Sequence, residues 1–193
     1  MPRGIPPAYP RQRIGLFGGS FDPAHEGHGH VAETALKRLH LDHVWWLVTP
    51  QNPLKAESAP LAQRVASARK MARGAKMKVT AFEAPHSFRY TYQTIAALKR
   101  WFPQTEFVLI VGADSLRNFR HWRRWREILR AVPLAIIARP RAGIKALAAK
   151  PAQVFAQARR GAGAKRTPPA WVFLNARLHP QSSTMLRERN QGY

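Results

Sequence analysis

The sequence predicts an α/β fold: a doubly wound, Rossmann-like parallel sheet with helices on both faces, built as a single domain. Three observations predict it. Six short runs that are almost wholly apolar recur along the chain, and patterns with one apolar helical face sit between most of them. Apolar runs without alternation suit strands covered on both sides, the situation of a parallel sheet. The chain has 193 residues, 45% of them hydrophobic, enough for one substantial core and too apolar for a disordered chain.

The elements follow in order. "MPRGIPPAYPRQR" is rich in Pro and Arg and lacks the apolar centre of a signal peptide, so residues 1–12 read as a flexible basic lead-in. "RIGLF" (13–17) is the first strand, and "GGSFDPAHEGHGH" (18–30) follows it. A helix is expected from about Gly27 or His28, because Val31, Ala32, Ala35, Leu36 and Leu39 fall on one face. "HVWWLV" (43–48), "KMKVTAF" (76–82), "EFVLIV" (106–111), "LAIIA" (134–138) and "AWVFL" (170–174) are the other strands. "LAQRVASARKMA" (61–72) and "TYQTIAALKRW" (91–101) are helical, and Trp122, Trp125, Ile128, Leu129 and Val132 fit one apolar face of a third helix. Residues 139–169 form an Ala/Arg/Lys/Pro/Gly-rich, low-complexity insert with one weak helix. No internal repeat and no second domain is visible.

Charge narrows the partners. There are 32 Lys and Arg against 10 Asp and Glu, a formal net charge of +22, and such an excess attracts nucleotides, nucleic acid or acidic membrane. No cysteine is present, which excludes disulfides and cysteine-ligated metal. No apolar run approaches the roughly 20 residues of a membrane span. A cytoplasmic protein with no membrane partner is expected.

The histidine tract admits a metal reading and a phosphate reading. A zincin helix needs H-E-x-x-H; here the motif's fifth position, counted from His25, is Gly29, and no acid or cysteine cluster completes a site. Glycines alternating with histidines also disfavour a stiff helix through this stretch. The phosphate reading fits better. Gly18 and Gly19 let the backbone turn after the strand, Asp22-Pro23 bends it, and the helix that follows presents free N–H groups and a positive dipole end to an anion. His25 and His28 add side-chain donors. The tract is neither a Walker loop nor G-x-G-x-x-G. Near the other end, Ser182, Ser183 and Thr184 open a predicted short helix and can cap it or meet phosphate oxygens, with Arg187 one turn on. Lys55 follows the second strand in a loop, and Asp114, past the fourth, suits either a ribose contact or a helix N-cap.

Five stretches in order, "GGSFDPAHEGH", "FEAPHSFRYTYQTI", "FVLIVGADSLRNFRHWRRWREI", "LAIIARPRAG" and "QSSTMLR", resemble the motifs of the HxGH nucleotidyltransferases, and among them the bacterial nicotinate-nucleotide adenylyltransferases, from about residue 13 to residue 189. "NPLK" departs from the family's loop, with Leu54 where a histidine is common. The resemblance implies transfer of AMP from ATP to nicotinate mononucleotide, forming deamido-NAD and pyrophosphate, with Mg²⁺ delivered on ATP and no protein-ligated metal. It implies His25 and His28 as catalytic donors. Gly18, Gly19, Ser20, Phe21, Ser182, Ser183, Thr184 and Arg187 would hold ATP; Lys55, Tyr90, Thr91, Gly112, Asp114 and Trp122 would hold the mononucleotide, Trp122 by stacking on the pyridine ring. Two alternatives stay open. One is another HxGH enzyme that uses nicotinamide mononucleotide or phosphopantetheine. The other is a basic nucleic-acid-binding protein, suggested by the arginine–aromatic run "RNFRHWRRWR".

Overall fold

The computed structural model describes residues 2–50, 58–138, 150–161 and 167–175. Its strands are β1 (Arg13–Gly19), β2 (His43–Val48), β3 (Met77–Thr80), β4 (Glu106–Gly112), β5 (Leu134–Ala138) and β6 (Trp171–Asn175). They form one sheet in the order β3-β2-β1-β4-β5-β6, and every neighbouring pair is parallel. Between the strands lie α1 (Glu26–Arg38), α2 (Leu61–Met71), α3 (Thr91–Trp101), α4 (Ala113–Asn118), a 3-10 turn (Phe119–His121), α5 (Trp125–Ala131) and α6 (Lys150–Val154).

The apolar strands divide their side chains between two cores, as the two-residue repeat of a strand requires. Ile14, Leu16, Trp45, Leu47, Phe107, Leu109, Val111, Leu134 and Ile136 point to one, where Ile95 and Leu98 of α3 and Ile128 and Leu129 of α5 cover them. Phe17, Val44, Trp46, Val108, Ile110, Ala135 and Ile137 point to the other, under Val31, Ala32 and Ala35 of α1 and Ala68 of α2. Gly15 leaves room on this second face: a Cβ there would lie 2.6 Å from Ile110 Cδ1 and 2.7 Å from Leu41 Cδ1.

Three expectations are corrected. The first helix begins at Glu26, with His25 as its N-cap, so Gly27, His28, Gly29 and His30 are helical despite their weak propensity. Packing overrides propensity here: Gly27 and Gly29 are buried, and a Cβ at Gly29 would press on the Met71 carbonyl at 3.3 Å. β3 spans only Met77–Thr80, because the Thr80 hydroxyl accepts the Phe82 N–H at 3.1 Å and donates to the Gly4 carbonyl at 2.6 Å, turning the chain off the sheet edge. Trp122 and Trp125 do not share one helix. Trp122 ends the 3-10 turn in extended backbone (ψ 132), Arg124 is left-handed (φ 56), and α5 starts at Trp125.

Residues 2–12 hold no helix or strand, yet Ala8 is buried and the Arg11 N–H donates to the Gln104 carbonyl at 2.8 Å. Within 139–169, α6 and a 3-10 turn (Ala156–Ala158) are described, and the Trp171 indole N–H donates to the Phe155 carbonyl at 2.6 Å.

Candidate active site

β1 and β4 lie side by side, but the chain leaves them in opposite directions, towards β2 and β3 on one side and β5 and β6 on the other. At such a switch point the strand ends cannot both be covered by their own connections, and a crevice opens above their carboxyl ends. A cavity of about 470 Å³ occupies it, a volume suited to a small-molecule site. Leu16–Phe21 and His28 form one wall. Val111, Gly112, Asp114 and Ser115 form the next. Glu83, Arg89, Tyr90, Thr91, Thr94 and Ile95 close the third side, with His121, Trp122 and Arg123 above them.

The β1–α1 turn is held from within. Phe21 takes a left-handed backbone (φ 47), and its ring is buried edge-on to Phe17 (5.4 Å) and His28 (5.2 Å). A side chain on Gly19 would meet that ring at 3.1–3.3 Å. Phe21 therefore contributes to this wall with its packed side chain as well as its backbone. The His25 N–H donates to His28 Nδ1 at 3.2 Å, and the His28 N–H donates to the His25 carbonyl at 2.8 Å. Because Nδ1 accepts, the neutral His28 ring carries its proton on Nε2. The two rings lie 3.9 Å apart between centroids. His28 lines the cavity, whereas His25, 3% exposed, lies behind it.

On the opposite side Tyr90 caps α3, whose Gln93 Oε1 accepts the Arg89 and Tyr90 N–H groups at 3.1 Å each. Tyr90 stacks with Tyr92 at 6.0 Å; the Arg123 guanidinium lies over Tyr90 (5.1 Å) and that of Arg124 over Tyr92 (4.8 Å). Trp122 packs on Phe119 at 4.8 Å and faces the cavity, while Trp125 is buried in the core. Gly112, not Asp114, is the N-cap of α4. Asp114 stands in the first turn with its carboxylate beside Gly112, close enough that a Cβ on Gly112 would collide with it.

Gly18, Gly19, Ser20, Phe21, His28, Tyr90, Thr91, Gly112, Asp114 and Trp122 thus come together around one cavity. Lys55, Ser182, Ser183, Thr184 and Arg187 lie outside the described residues. The sequence reading missed two buried ionisable side chains. Glu83, 7% exposed, accepts the Thr94 hydroxyl at 2.6 Å, and burial pushes its carboxyl up to about 7 while that hydrogen bond pulls it down. Arg64 is 2% exposed and makes four hydrogen bonds to backbone carbonyls. Both carry a signal in sequence. Glu83 is a lone acid in "TAFEAP", and Arg64 interrupts the apolar stripe of Leu61, Val65 and Ala68.

Among the described residues no group of three or more His, Cys, Asp or Glu could hold a metal ion, and no helix is long and apolar enough to cross a membrane.

A cytidylyltransferase-like family model matches residues 16–189. Over 137 residues, 70% of each chain, the sequence is 56% identical to the probable nicotinate-nucleotide adenylyltransferase of Mesorhizobium japonicum. The chain belongs to the nicotinate-nucleotide adenylyltransferases of the cytidylyltransferase-like family. A second adenylyltransferase of that name, from Ruegeria pomeroyi, is 52% identical over 147 residues, 76% of this chain and 69% of the relative. Plasmodium falciparum nicotinic acid mononucleotide adenylyltransferase complexed with NaAD shares the fold, with a TM-score of 0.71 over 92% of this chain and 83% of that one. At 18% identity that likeness speaks for the fold alone.

Proposed function

We propose that this enzyme transfers AMP from ATP to the 5′-phosphate of nicotinate mononucleotide, releasing pyrophosphate and forming deamido-NAD. An oxygen of the acceptor phosphate attacks the α-phosphorus of ATP, and the bond from that phosphorus to the oxygen bridging it to the β-phosphorus breaks. Both partners are phosphates already, so the reaction needs no protein nucleophile. Its barrier is lowered by in-line positioning and by donors set against the charge on the transferring and departing groups. One observation carries the reading. In a member of this family, the glycine turn with His28 and the Tyr90, Thr91 and Trp122 cluster face each other across one cavity.

His28 donates to the triphosphate through Nε2, and His25 braces it or joins it after a rotation. Gly18, Gly19, Ser20 and Phe21 receive the phosphates, with Ser182, Ser183, Thr184 and Arg187 assigned to the same group on the strength of their motif. Lys55 is assigned to the acceptor phosphate, Trp122 to the pyridine ring, Tyr90 and Thr91 to its carboxylate side, and Gly112 and Asp114 to a ribose. Magnesium delivered with ATP would supply charge neutralisation at the phosphates, which would themselves be its main ligands. Glu83 and Asp114 are the described carboxylates that line the cavity. The catalytic domain runs from residue 13 to residue 193 with 139–169 as an insert, and the enzyme works in the cytoplasm.

The test is pyrophosphate release with ATP and each of two acceptors, nicotinate mononucleotide and nicotinamide mononucleotide. A site built to hydrogen-bond a carboxylate leaves a donor facing the NH₂ of the amide, and an unpaired buried group discriminates strongly. The expected kcat/KM ratio is at least about 100, or roughly 3 kcal/mol. Equal efficiencies would overturn the nicotinate assignment. No release with either acceptor would overturn adenylyl transfer to a pyridine mononucleotide.

A further inference from the structure

Arg64 carries a positive charge inside α2 with 2% of its surface exposed, yet it does not line the cavity. Burying a guanidinium is costly unless its N–H groups are used, and these are. Nε donates to the Ala59 carbonyl at 2.7 Å, Nη1 to Ser20 at 2.9 Å and to Thr49 at 2.7 Å, and Nη2 to Pro50 at 2.7 Å. The Asp22 carboxylate lies near enough to offset part of the burial cost.

The acceptors come from distant parts of the chain. Ser20 belongs to the turn after β1, and Thr49 and Pro50 to the exit of β2. Pro50 lies at the exit of β2 and Ala59 just before α2, so the same guanidinium also joins these two positions. Ser20 and Thr49 are themselves cavity-lining residues. Other bonds draw the same pieces together: Thr49 N–H donates to the Gly19 carbonyl at 3.0 Å, and Ala24 N–H to the Ser67 hydroxyl at 2.6 Å.

We propose that Arg64 is a positioning residue for adenylyl transfer, a single planar fork that locks the phosphate-side turn to the exit of β2 so that two substrate-facing loops move as one body. This rests on the adenylyl-transfer reading. A lysine keeps the charge but presents it from one point and cannot span three segments. Displacing reactants by about 1 Å costs on the order of 100-fold in rate, so loss of the lock reaches the chemistry although Arg64 touches no substrate.

The test compares the unaltered protein with Arg64→Lys and Arg64→Ala. Three readouts are taken: kcat and KM for each substrate, the fraction folded, and amide exchange at residues 18–21 and 47–49. The expected result for Arg64→Lys is a folded protein whose kcat falls about 10- to 100-fold. Exchange should accelerate in both segments together. Arg64→Ala should behave likewise and recover part of its kcat when methylguanidinium is added. Wild-type kcat and KM in Arg64→Lys would overturn the proposal. So would a loss that only follows the unfolded fraction, or faster exchange in one segment alone. An inactive wild type would sink the adenylyl-transfer reading instead, and the exchange measurement would still decide whether Arg64 couples the loops.

Discussion

The two walls of the cavity are held by different balances of hydrogen bonding and ring packing. On the β1 side, directional hydrogen bonds to backbone carbonyls fix the turn: Arg64 to Ser20 and Thr49, Thr49 to Gly19, and the His25–His28 pair. On the β4 side, a six-residue helix and a 3-10 turn lead to Trp122, the left-handed Arg124 follows it, and ring contacts add to the Gln93 hydrogen bonds at the Arg89 and Tyr90 N–H groups. Phe119 lies under Trp122, and Tyr90 and Tyr92 lie under two exposed arginines. Hydrogen bonds fix atoms to within tenths of an ångström, whereas stacking fixes a plane and tolerates sliding. The first wall is therefore suited to hold reacting phosphates in line, and the second to accept a flat ring. Damage to the first should appear in kcat and damage to the second in KM.

His28→Ala tests the first wall with the largest expected effect. Removing one preorganised donor costs about 100- to 1000-fold in kcat, about 3–4 kcal/mol. The thermal midpoint should fall by only about 2–4 °C, because His28 is half-buried and its ring accepts one capping hydrogen bond, from the His25 N–H. A normal kcat with a raised KM for ATP would break the assignment of catalysis to this wall.

Glu83 lines the same side of the cavity as Tyr90, and its test is read in stability rather than kcat. Its folded carboxyl titrates near 7 against an ordinary 4.5, chiefly from burial. Below pH 4.5 it is protonated whether folded or not, and its contribution to stability is fully present. As pH rises towards 7 the unfolded chain ionises first and stability is lost, levelling above that pH. The total is on the order of 3 kcal/mol. Glu83→Gln keeps an oxygen that can accept from Thr94 and removes the ionisation. Denaturant unfolding should find the two proteins alike near pH 4.5 and the variant more stable near pH 8, by about 2–3 kcal/mol. Parallel pH profiles would show that Glu83 ionises normally. Near neutrality a half-protonated carboxyl also repels anionic substrates less than a full charge would.

Trp122→Ala gives the smallest effect and sharpens the contrast. Losing one stacking surface costs about 1–2 kcal/mol, a 5- to 30-fold rise in KM for the mononucleotide, with KM for ATP unchanged. An equal rise for both substrates would mean that the stacked wall also serves the triphosphate.

Much of this cavity was legible in the sequence for local reasons. The glycine turn, His28, Tyr90, Thr91 and Asp114 each follow a strand or open a helix, and strand ends can be located from apolar runs alone. The break at Trp122 was not legible, since Trp122, Trp125, Ile128 and Leu129 satisfy a helical repeat, and repeats do not reveal a left-handed residue at Arg124. The histidine tract misled in the opposite sense. Its glycines lower helix propensity, but both are buried, Gly29 against the Met71 carbonyl of α2, and that packing makes the helix favourable.

What the sequence determined by itself is the sheet and its two covered faces, because transfer of apolar side chains from water depends on residue type and spacing, not on who the neighbour is. What only the tertiary structure decided is the fate of the buried polar groups. Arg64 could be solvent-facing on any isolated amphipathic helix; it is buried because carbonyls from Ser20, Thr49, Pro50 and Ala59 converge on it. Glu83 is buried with Thr94 eleven residues away, and His25 turns in while His28 turns out. A hydrogen bond needs its partner within about 3 Å and correctly aimed. That partner comes from a remote segment, so its position exists only once the chain has folded.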